Sequence, residues 1–273
     1  MDELRPQFVR TPGQNSRLEP VRFCRAWRPL LAAVMIGMML ASTWFLALPA
    51  RAEDGPDDAS AALIVTADFN HDGLPDFAKV AAPEKDHPGP AHLVILLGQA
   101  DGPPVEVASL VAPGPAPTSI AAGDFNKDGH PDILLGDSTG ALMLFQGDGT
   151  GRMAPAGTVA HFDSVVSIAV ADFNHDGIPD IAVSDWRASR ATVLLGDGKG
   201  GFGPTWSFPL RMRGKAPHLA AADFNGDGIP DLAVVYDDDD GDTYDVMLNN
   251  NNGTFSAAPD LGFVKDPNAH CVT

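Results

Sequence analysis

The fold is decided by a nine-residue stretch that reads Asp68-Phe69-Asn70-His71-Asp72-Gly73-Leu74-Pro75-Asp76. Three further copies begin at Asp124, Asp172 and Asp223, at a nearly constant spacing along the chain. All four copies share Asp, Phe and Asn at positions 1 to 3, Asp and Gly at positions 5 and 6, and Pro and Asp at positions 8 and 9. Self-similarity at a regular spacing indicates a repeat protein in which each repeat is one supersecondary unit.

Short apolar runs bounded by turn residues surround each copy. Examples are 219–222 before a copy, 181–183 after one, and then 192–195 and 201–206 further along a repeat. Four such runs per repeat predict a four-stranded antiparallel meander, which is one blade of a β-propeller. The first run is rich in Ala and Gly, as expected of an innermost strand where blades crowd together. The sequence therefore predicts an all-β propeller of four four-stranded blades, which we expect to close alone into a compact unit. An open or partial propeller, either as half of a homodimeric ring or open against another subunit, is the alternative. A β-sandwich or a solenoid is the alternative.

The domain boundaries follow from the repeats and from a distinct leader. We predict a propeller over 61–273, with repeats at about 61–115, 116–163, 164–215 and 216–273, after a short linker at 53–60. Residues 1–52 combine a basic stretch, an uncharged apolar run and Ala50-Arg51-Ala52, the pattern of a signal peptide. An uncleaved signal anchor is the alternative, because the apolar run is nearly long enough to span a bilayer.

The charge balance limits the classes of partner. The 273 residues include 18 Lys+Arg and 36 Asp+Glu, which gives a formal net charge of −18. Such a charge disfavours nucleic acid and favours bound cations. The only two cysteines, Cys24 and Cys271, exclude a disulfide framework and a cysteine-based zinc cluster. We expect an exported protein in the periplasm, in the medium or at the cell surface, with membrane contact only through an uncleaved leader.

The repeated stretch has the chemistry of a calcium loop. Oxygen-bearing side chains stand at positions 1, 3, 5 and 9, and Gly at position 6 permits a sharp turn. Calcium takes six to eight hard oxygens, including a backbone carbonyl at position 7. We therefore predict up to four Ca²⁺ ions, one in each repeat. The predicted ligands are Asp68, Asn70, Asp72, Leu74, Asp76, Asp124, Asn126, Asp128, His130, Asp132, Asp172, Asn174, Asp176, Ile178, Asp180, Asp223, Asn225, Asp227, Ile229 and Asp231.

The loop differs from an EF-hand. An EF-hand needs a bidentate Glu at position 12, where this chain has Lys79, Leu135, Val183 and Val234. The Asp at position 9 must therefore close the site instead. Magnesium is a weaker candidate, since it prefers water-rich octahedral sites. A metal-free acidic turn is the alternative for one copy, but four copies in register favour an ion.

The chain resembles the FG-GAP/VCBS repeat family, whose calcium-loop blades also form the propeller of integrin α subunits. The resemblance covers roughly 61–260 and is carried by D-F-N-x-D-G-x-P-D and by the segment L-L-G-D-G-K-G-G-F at 194–202. The chain departs from integrin-like propellers in having four repeats instead of seven, and it keeps the Phe-Gly and Gly-Ala-Pro signature poorly. The resemblance implies a calcium-bearing propeller that often serves adhesion or binding, without fixing a ligand.

The expected function is that of a non-enzymatic interaction or adhesion scaffold with a protein or glycan ligand. A carbohydrate-binding propeller, or a polysaccharide lyase or hydrolase, is the alternative. Most carboxylates belong to the predicted metal loops, and no isolated carboxylate pair stands out as an acid and base.

A ligand-binding face is predicted on the side opposite the calcium loops. Alternate turns of an antiparallel meander fall on the same side, which would gather basic and aromatic residues there. Scattered surface charge is the alternative, and the acidic run at 237–242 is either a solvated loop or an additional cation site. The residues of this predicted face are Trp186, Arg187, Arg190, Arg211, Arg213, Lys215, Tyr236 and Tyr244.

Overall fold

The structure is a computed structural model that describes residues 63–81, 89–112, 114, 116–210, 217–236 and 243–258. The predicted leader at 1–52 and the linker at 53–60 lie outside the described residues. The same holds for Arg211, Arg213 and Lys215 and for the acidic run at 237–242. Within the described ranges no helix is long and apolar enough to cross a membrane.

The described residues form four separate antiparallel sheets of four strands each. Sheet 1 holds β1 (Ile64–Ala67), β2 (Asp76–Ala81), β3 (His92–Leu97) and β4 (Val105–Val111). Sheet 2 holds β5 (Pro117–Gly123), β6 (Asp132–Asp137), β7 (Ala141–Gly147) and β8 (Met153–His161). Sheet 3 holds β9 (Val165–Ala171), β10 (Asp180–Asp185), β11 (Arg190–Gly196) and β12 (Phe202–Pro209). Sheet 4 holds β13 (His218–Ala222), β14 (Asp231–Tyr236), β15 (Thr243–Asn249) and β16 (Phe255–Ala257).

The strands of each sheet follow the order of the chain. Each sheet is therefore made from one continuous segment, and none borrows a strand from another repeat. The nine-residue stretches connect the first and second strands, and position 9 opens the second strand: Ala67 pairs with Asp76 in sheet 1. The prediction of four four-stranded antiparallel blades is confirmed.

The hydrophobic core lies in three layers between successive sheets. Leu93 and Phe145 meet between sheets 1 and 2, whereas Leu134 and Val183 meet between sheets 2 and 3. The third layer, between sheets 3 and 4, contains Leu232. Strands β6 and β10 are buried along their whole length because each has a neighbouring sheet on both faces. Burying one such Leu or Val stabilises the fold by roughly 1.5–3 kcal/mol.

The four sheets form an open arc. Their innermost strands contact one another in sequence, β1 with β5, β5 with β9, and β9 with β13. Among the described strands, no contact of similar extent joins β13 back to β1. Among the described strands the structure therefore has the open arrangement, rather than the compact closed unit that we expected.

Candidate metal centre

The same backbone-to-side-chain hydrogen bonds hold each of the four loops, which we number 1 to 4 (68–76, 124–132, 172–180 and 223–231). In loop 1 the Asp68 carboxylate accepts the N–H groups of Asp72 at 3.1 Å and Gly73 at 2.9 Å. Asn70 Oδ1 also accepts the Asp72 N–H, at 3.0 Å, and Asp72 Oδ1 accepts the Leu74 N–H at 2.8 Å. The equivalent bonds recur in loops 2, 3 and 4. Positions 1, 3 and 5 thus turn their oxygens toward the same short stretch of backbone.

Two positions in each loop have left-handed backbone. The position 6 glycine has a φ of +83° in loop 1 and +91° in loop 2, a conformation that costs residues with a Cβ. Position 4 is also left-handed, at 59° for His71, 58° for Lys127 and 60° for His175. The sequence predicts the first of these requirements. The left-handed backbone at position 4 is indicated in the sequence only by the glycine at that position of loop 4.

The Asp at position 9 lies beneath each loop and is fully buried in all four copies. Asp76 Oδ2 accepts the Phe69 N–H at 2.8 Å, and its Oδ1 accepts the Gly98 N–H at 2.7 Å. The same pair of bonds is made by Asp132, Asp180 and Asp231. This carboxylate therefore joins the start of each loop to the end of the third strand.

Burial raises the pKa of the position 9 carboxyl in loops 1, 2 and 3. It raises the pKa of Asp132 to about 6 and that of Asp180 to about 7, against the lowering effect of the backbone N–H groups. The pKa of Asp76 is raised for the same reason. In all three loops the carboxylates at positions 5 and 1 repel the buried one and raise its pKa further. A cation bound beside these three carboxyls would offset the repulsion and favour their ionised form.

The donor chemistry of the loops fits calcium. Carboxylate and amide oxygens are hard ligands, and an oxygen that already accepts one N–H keeps a second lone pair. In the described part of the chain, no three His, Cys, Asp or Glu side chains form a cluster compact enough to hold an ion. The structure thus brings positions 1, 3 and 5 together on the exposed loop and places position 9 below them. Calcium would require these side chains to close on one point.

A pair of histidines joins loops 1 and 2, which the sequence did not predict. His71 Nε2 lies 2.8 Å from His130 Nδ1, and the ring centroids are 5.0 Å apart. One ring donates and the other accepts, so the pair links position 4 of one loop to position 7 of the next. A separation of 59 residues hides this contact from any local sequence pattern.

The third strand of each sheet ends against the proline carbonyl at loop position 8. Gly98, Gly147 and Gly196 stand there in sheets 1 to 3, and a Cβ on any of them would collide with that carbonyl oxygen. Sheet 4 has Asn249 instead, whose Nδ2 donates to Pro230 O at 2.9 Å and to the Phe173 carbonyl oxygen at 2.8 Å.

Each of the first three loops also contacts the following sheet. A glycine in the turn between the third and fourth strands donates its N–H to the carbonyl oxygen of the Phe at position 2 of the preceding loop. These bonds run from Gly151 to Phe69 (3.1 Å), from Gly200 to Phe125 (3.0 Å) and from Gly253 to Phe173 (3.2 Å). We call each such contact a junction.

The Phe side chains at the junctions pack between the sheets. The Phe125 and Phe202 rings meet edge to face with centroids 5.5 Å apart, and those of Phe173 and Phe255 do so at 5.4 Å. In the first three loops the Phe at position 2 points into the layer between two sheets and is at most 1% exposed. Phe224 differs: it is 44% exposed because no further sheet covers loop 4 in the described structure.

The predicted ligand face is only partly supported. Trp186 is half-buried and Arg187 is exposed in the turn that joins β10 to β11, and Arg190, the first residue of β11, is also exposed. Tyr236 is 2% exposed and packs in the core between sheets 3 and 4, so its assignment to an accessible face was wrong. Its place at the end of β14 suggested a turn residue, but the alternation of the strand directs its side chain inward.

Comparison with known families gives one match that extends over most of the chain. The family described as FG-GAP-like repeat matches residues 68–135, 133–183, 175–234 and 223–273, and each match contains at least one of the four loops. No curated protein matches the chain.

Several solved structures match at low identity. The crystal structure of BBS1N in complex with ARL6DN, soaked with mercury, has 16% identity and a TM-score of 0.39, and the match covers 79% of this chain and 59% of that one. The biofilm matrix protein Bap1 of V. cholerae has 14% identity and a TM-score of 0.39, with coverage of 78% and 42%. The BBS1N–ARL6DN complex soaked with lead has 13% identity and a TM-score of 0.35, with coverage of 83% and 89%. The chain thus spans less than two thirds of the first two structures.

Proposed function

Since the chain belongs to the FG-GAP-like repeat family, we propose that it is an exported, calcium-stabilised interaction scaffold without enzymatic activity. The observation that carries this proposal is the buried Asp at position 9 of every loop, which in loops 1 to 3 is repelled by the carboxylates of positions 1 and 5. Such a carboxyl is costly to ionise without a cation nearby. Four copies of the arrangement favour a role in the stability of the whole array.

Calcium would be held in each loop by the side chains of positions 1, 3, 5 and 9 and the backbone carbonyl of position 7. When bound, the ion supplies positive charge that offsets the mutual repulsion of three carboxylates. The other contacts of the loop are made by the chain itself. The position 9 carboxylate joins the loop to the end of the third strand through hydrogen bonds, and the position 2 carbonyl accepts a hydrogen bond from the next sheet. Ion binding would therefore rigidify the sheets and the contacts between them.

The binding surface of the scaffold is formed by turns on the side away from the loops. Arg187 and Arg190 are exposed and follow the half-buried Trp186 in the chain, and this combination of aromatic and cationic residues suits a protein or glycan ligand. Asp185 anchors this turn from below, because its buried carboxylate accepts the N–H groups of Asp163 at 2.9 Å and Ser164 at 3.1 Å. These bonds would hold the half-buried Trp186 and the exposed Arg187 in a fixed position for ligand recognition.

Calcium-dependent thermal melting tests the metal part of the proposal. A ligand that binds only the native state raises the melting temperature. We expect calcium to raise it relative to EDTA, and the calcium stoichiometry by titration calorimetry to fall by one in Asp124→Asn/Asp128→Asn. Asp101→Asn, in an exposed turn outside the loops, is the matched control and should keep the full stoichiometry. An identical melting temperature in calcium and EDTA would refute the calcium role.

Binding assays test the scaffold part separately. A glycan array and a pull-down from the medium, each with the wild-type protein and with Trp186→Ala/Arg187→Ala, identify the ligand class. Loss of a captured ligand in this variant supports the proposed surface. Turnover of a polysaccharide by the wild-type protein would instead establish an enzyme.

A further inference from the structure

The three junctions between neighbouring sheets share one construction. A turn glycine of the following sheet is buried and donates its N–H to the Phe carbonyl of the preceding loop. Two residues after that glycine stands an apolar residue, which is Met153, Phe202 or Phe255, and it packs into the layer that contains the loop Phe. Each junction therefore needs one half from a loop and one half from a turn.

The two ends of the arc expose one half each. At the sheet 4 end, Phe224 is 44% exposed, and among the described residues no turn glycine donates to its carbonyl. At the sheet 1 end, Gly102 occupies the turn position of the buried Gly151, with a φ of +117°, yet it is exposed. Pro104 follows it by two residues, as Met153 follows Gly151, and is also exposed. One end thus offers an unused acceptor and aromatic ring, and the other offers an unused donor and apolar residue.

We propose that these two ends bind each other between two copies of this chain. Gly102 of one copy would donate to the Phe224 carbonyl of the other, with Pro104 covering the Phe224 ring, and the reverse contact would form on the other side of the dimer. Two arcs of four sheets joined in this way give a ring of eight, which is within the range of known propellers. A head-to-tail contact that closes after two copies also avoids open-ended filaments.

The partner is inferred from complementarity. The chain already makes this junction three times within itself. A second copy presents the turn glycine that the sheet 4 end lacks and the loop Phe that the sheet 1 end lacks. The net charge of −18 opposes association of two identical chains. Salt screens such repulsion, so the dimer is expected to strengthen as the ionic strength rises, with or without calcium.

Cysteine cross-linking of the purified protein tests the proposal. Phe224→Cys and Pro104→Cys are combined in a background in which Cys24 and Cys271 are replaced by Ser. The expected result is a disulfide-linked dimer on non-reducing gels. Val105→Cys with Phe224→Cys is the matched control and should cross-link weakly: Val105 begins β4 directly after Pro104, and adjacent residues of extended chain point to opposite faces. A disulfide within one chain, or none in either variant, would overturn the proposal.

Sedimentation equilibrium provides the second measurement. The wild-type protein should show twice the mass of one chain at high micromolar concentration, and Phe224→Arg should weaken the dimer about tenfold or more, as is usual for a central aromatic residue. Far-UV circular dichroism checks that Phe224→Arg is folded. If this variant does not fold, the cross-linking experiment, which uses other variants, still tests the proposal. A wild-type protein that stays monomeric at every salt concentration would contradict the inference.

Discussion

At the scale of single residues, opposing effects act on the charge of the position 9 aspartate. It is fully buried in every repeat, both of its oxygens accept backbone N–H groups, and its neighbours at positions 1 and 5 are carboxylates. Hydrogen bonds favour the ionised form, whereas burial and repulsion favour the neutral form. The raised pKa of Asp180 means that the second pair of effects is the stronger one in the metal-free protein.

This balance predicts that the metal-free protein loses stability as the pH rises. The pKa of Asp180 is raised from 3.8 to about 7, so the folded chain binds this proton more tightly than the unfolded chain. The resulting stabilisation is complete below about pH 4 and is lost as the pH rises through about 7. We expect the melting temperature in EDTA to fall over this range, and to fall less steeply in Asp180→Asn.

The control for this measurement is Asp101→Asn, which removes an exposed carboxyl and should leave the slope unchanged. Two exposed turn carboxyls, Asp148 and Asp197, affect stability over a different pH range. Hydrogen bonds from Thr150 and Lys199 lower the pKa of Asp148 and Asp197, respectively. Their stabilisation is lost only as the pH falls below the ordinary aspartate range. Equal slopes in the wild type and Asp180→Asn would contradict the prediction.

At the scale of elements, the loops were the most predictable part of the chain. The identical residues at seven positions encode the turn, because side-chain oxygens at positions 1, 3 and 5 and glycine at position 6 act locally. Contacts made across the sheets were less predictable. No local sequence pattern predicts that the Asp76 carboxylate accepts the Gly98 N–H. The same is true of Asn249, which takes the place in sheet 4 of the glycine in the other three sheets.

The left-handed glycine of the loop gives a direct test at this scale. Gly129 has a φ of +91°, and a Cβ there would meet no atom within 4 Å, so a substitution acts through backbone conformation alone. We expect Gly129→Ala to lower the free energy of unfolding by about 1–2 kcal/mol. Chemical denaturation in EDTA measures it without a contribution from the ion.

The matched control is Gly203→Ala in β12. A Cβ on Gly203 also meets nothing within 4 Å, but its φ lies outside the left-handed region. This substitution should be neutral or stabilise the protein by up to about 1 kcal/mol, since glycine in a strand is less favourable than alanine. Similar losses in the two variants would show that the loop conformation is not the cause.

At the scale of the whole molecule, the sequence predicted the number and make-up of the blades but not their closure. Four copies of one motif imply four sheets, whereas closure depends on whether the ends of the array meet, and the repeats look alike whether or not they do. The motif itself conceals the difference: Phe173 and Phe224 occupy the same position, yet one is fully buried and the other is 44% exposed.

These two phenylalanines provide a prediction about the ends of the arc. Phe173→Ala should cost about 3–5 kcal/mol in the free energy of unfolding, because it empties a packed layer between sheets 3 and 4. Phe224→Ala should change it by about 0.5 kcal/mol or less in dilute protein, as is usual for surface positions. Denaturant titration of both variants measures the contrast, and a large loss for Phe224→Ala would mean that this end is covered in solution.

Because every sheet is built from one continuous segment and meets its neighbour through the same glycine-to-phenylalanine bond, a repeat is a self-contained building block. Duplicating or deleting one would extend or shorten the array and leave the remaining contacts as they were. A lineage that carries this motif can therefore change the size of its propellers by whole-unit recombination, without redesigning any interface.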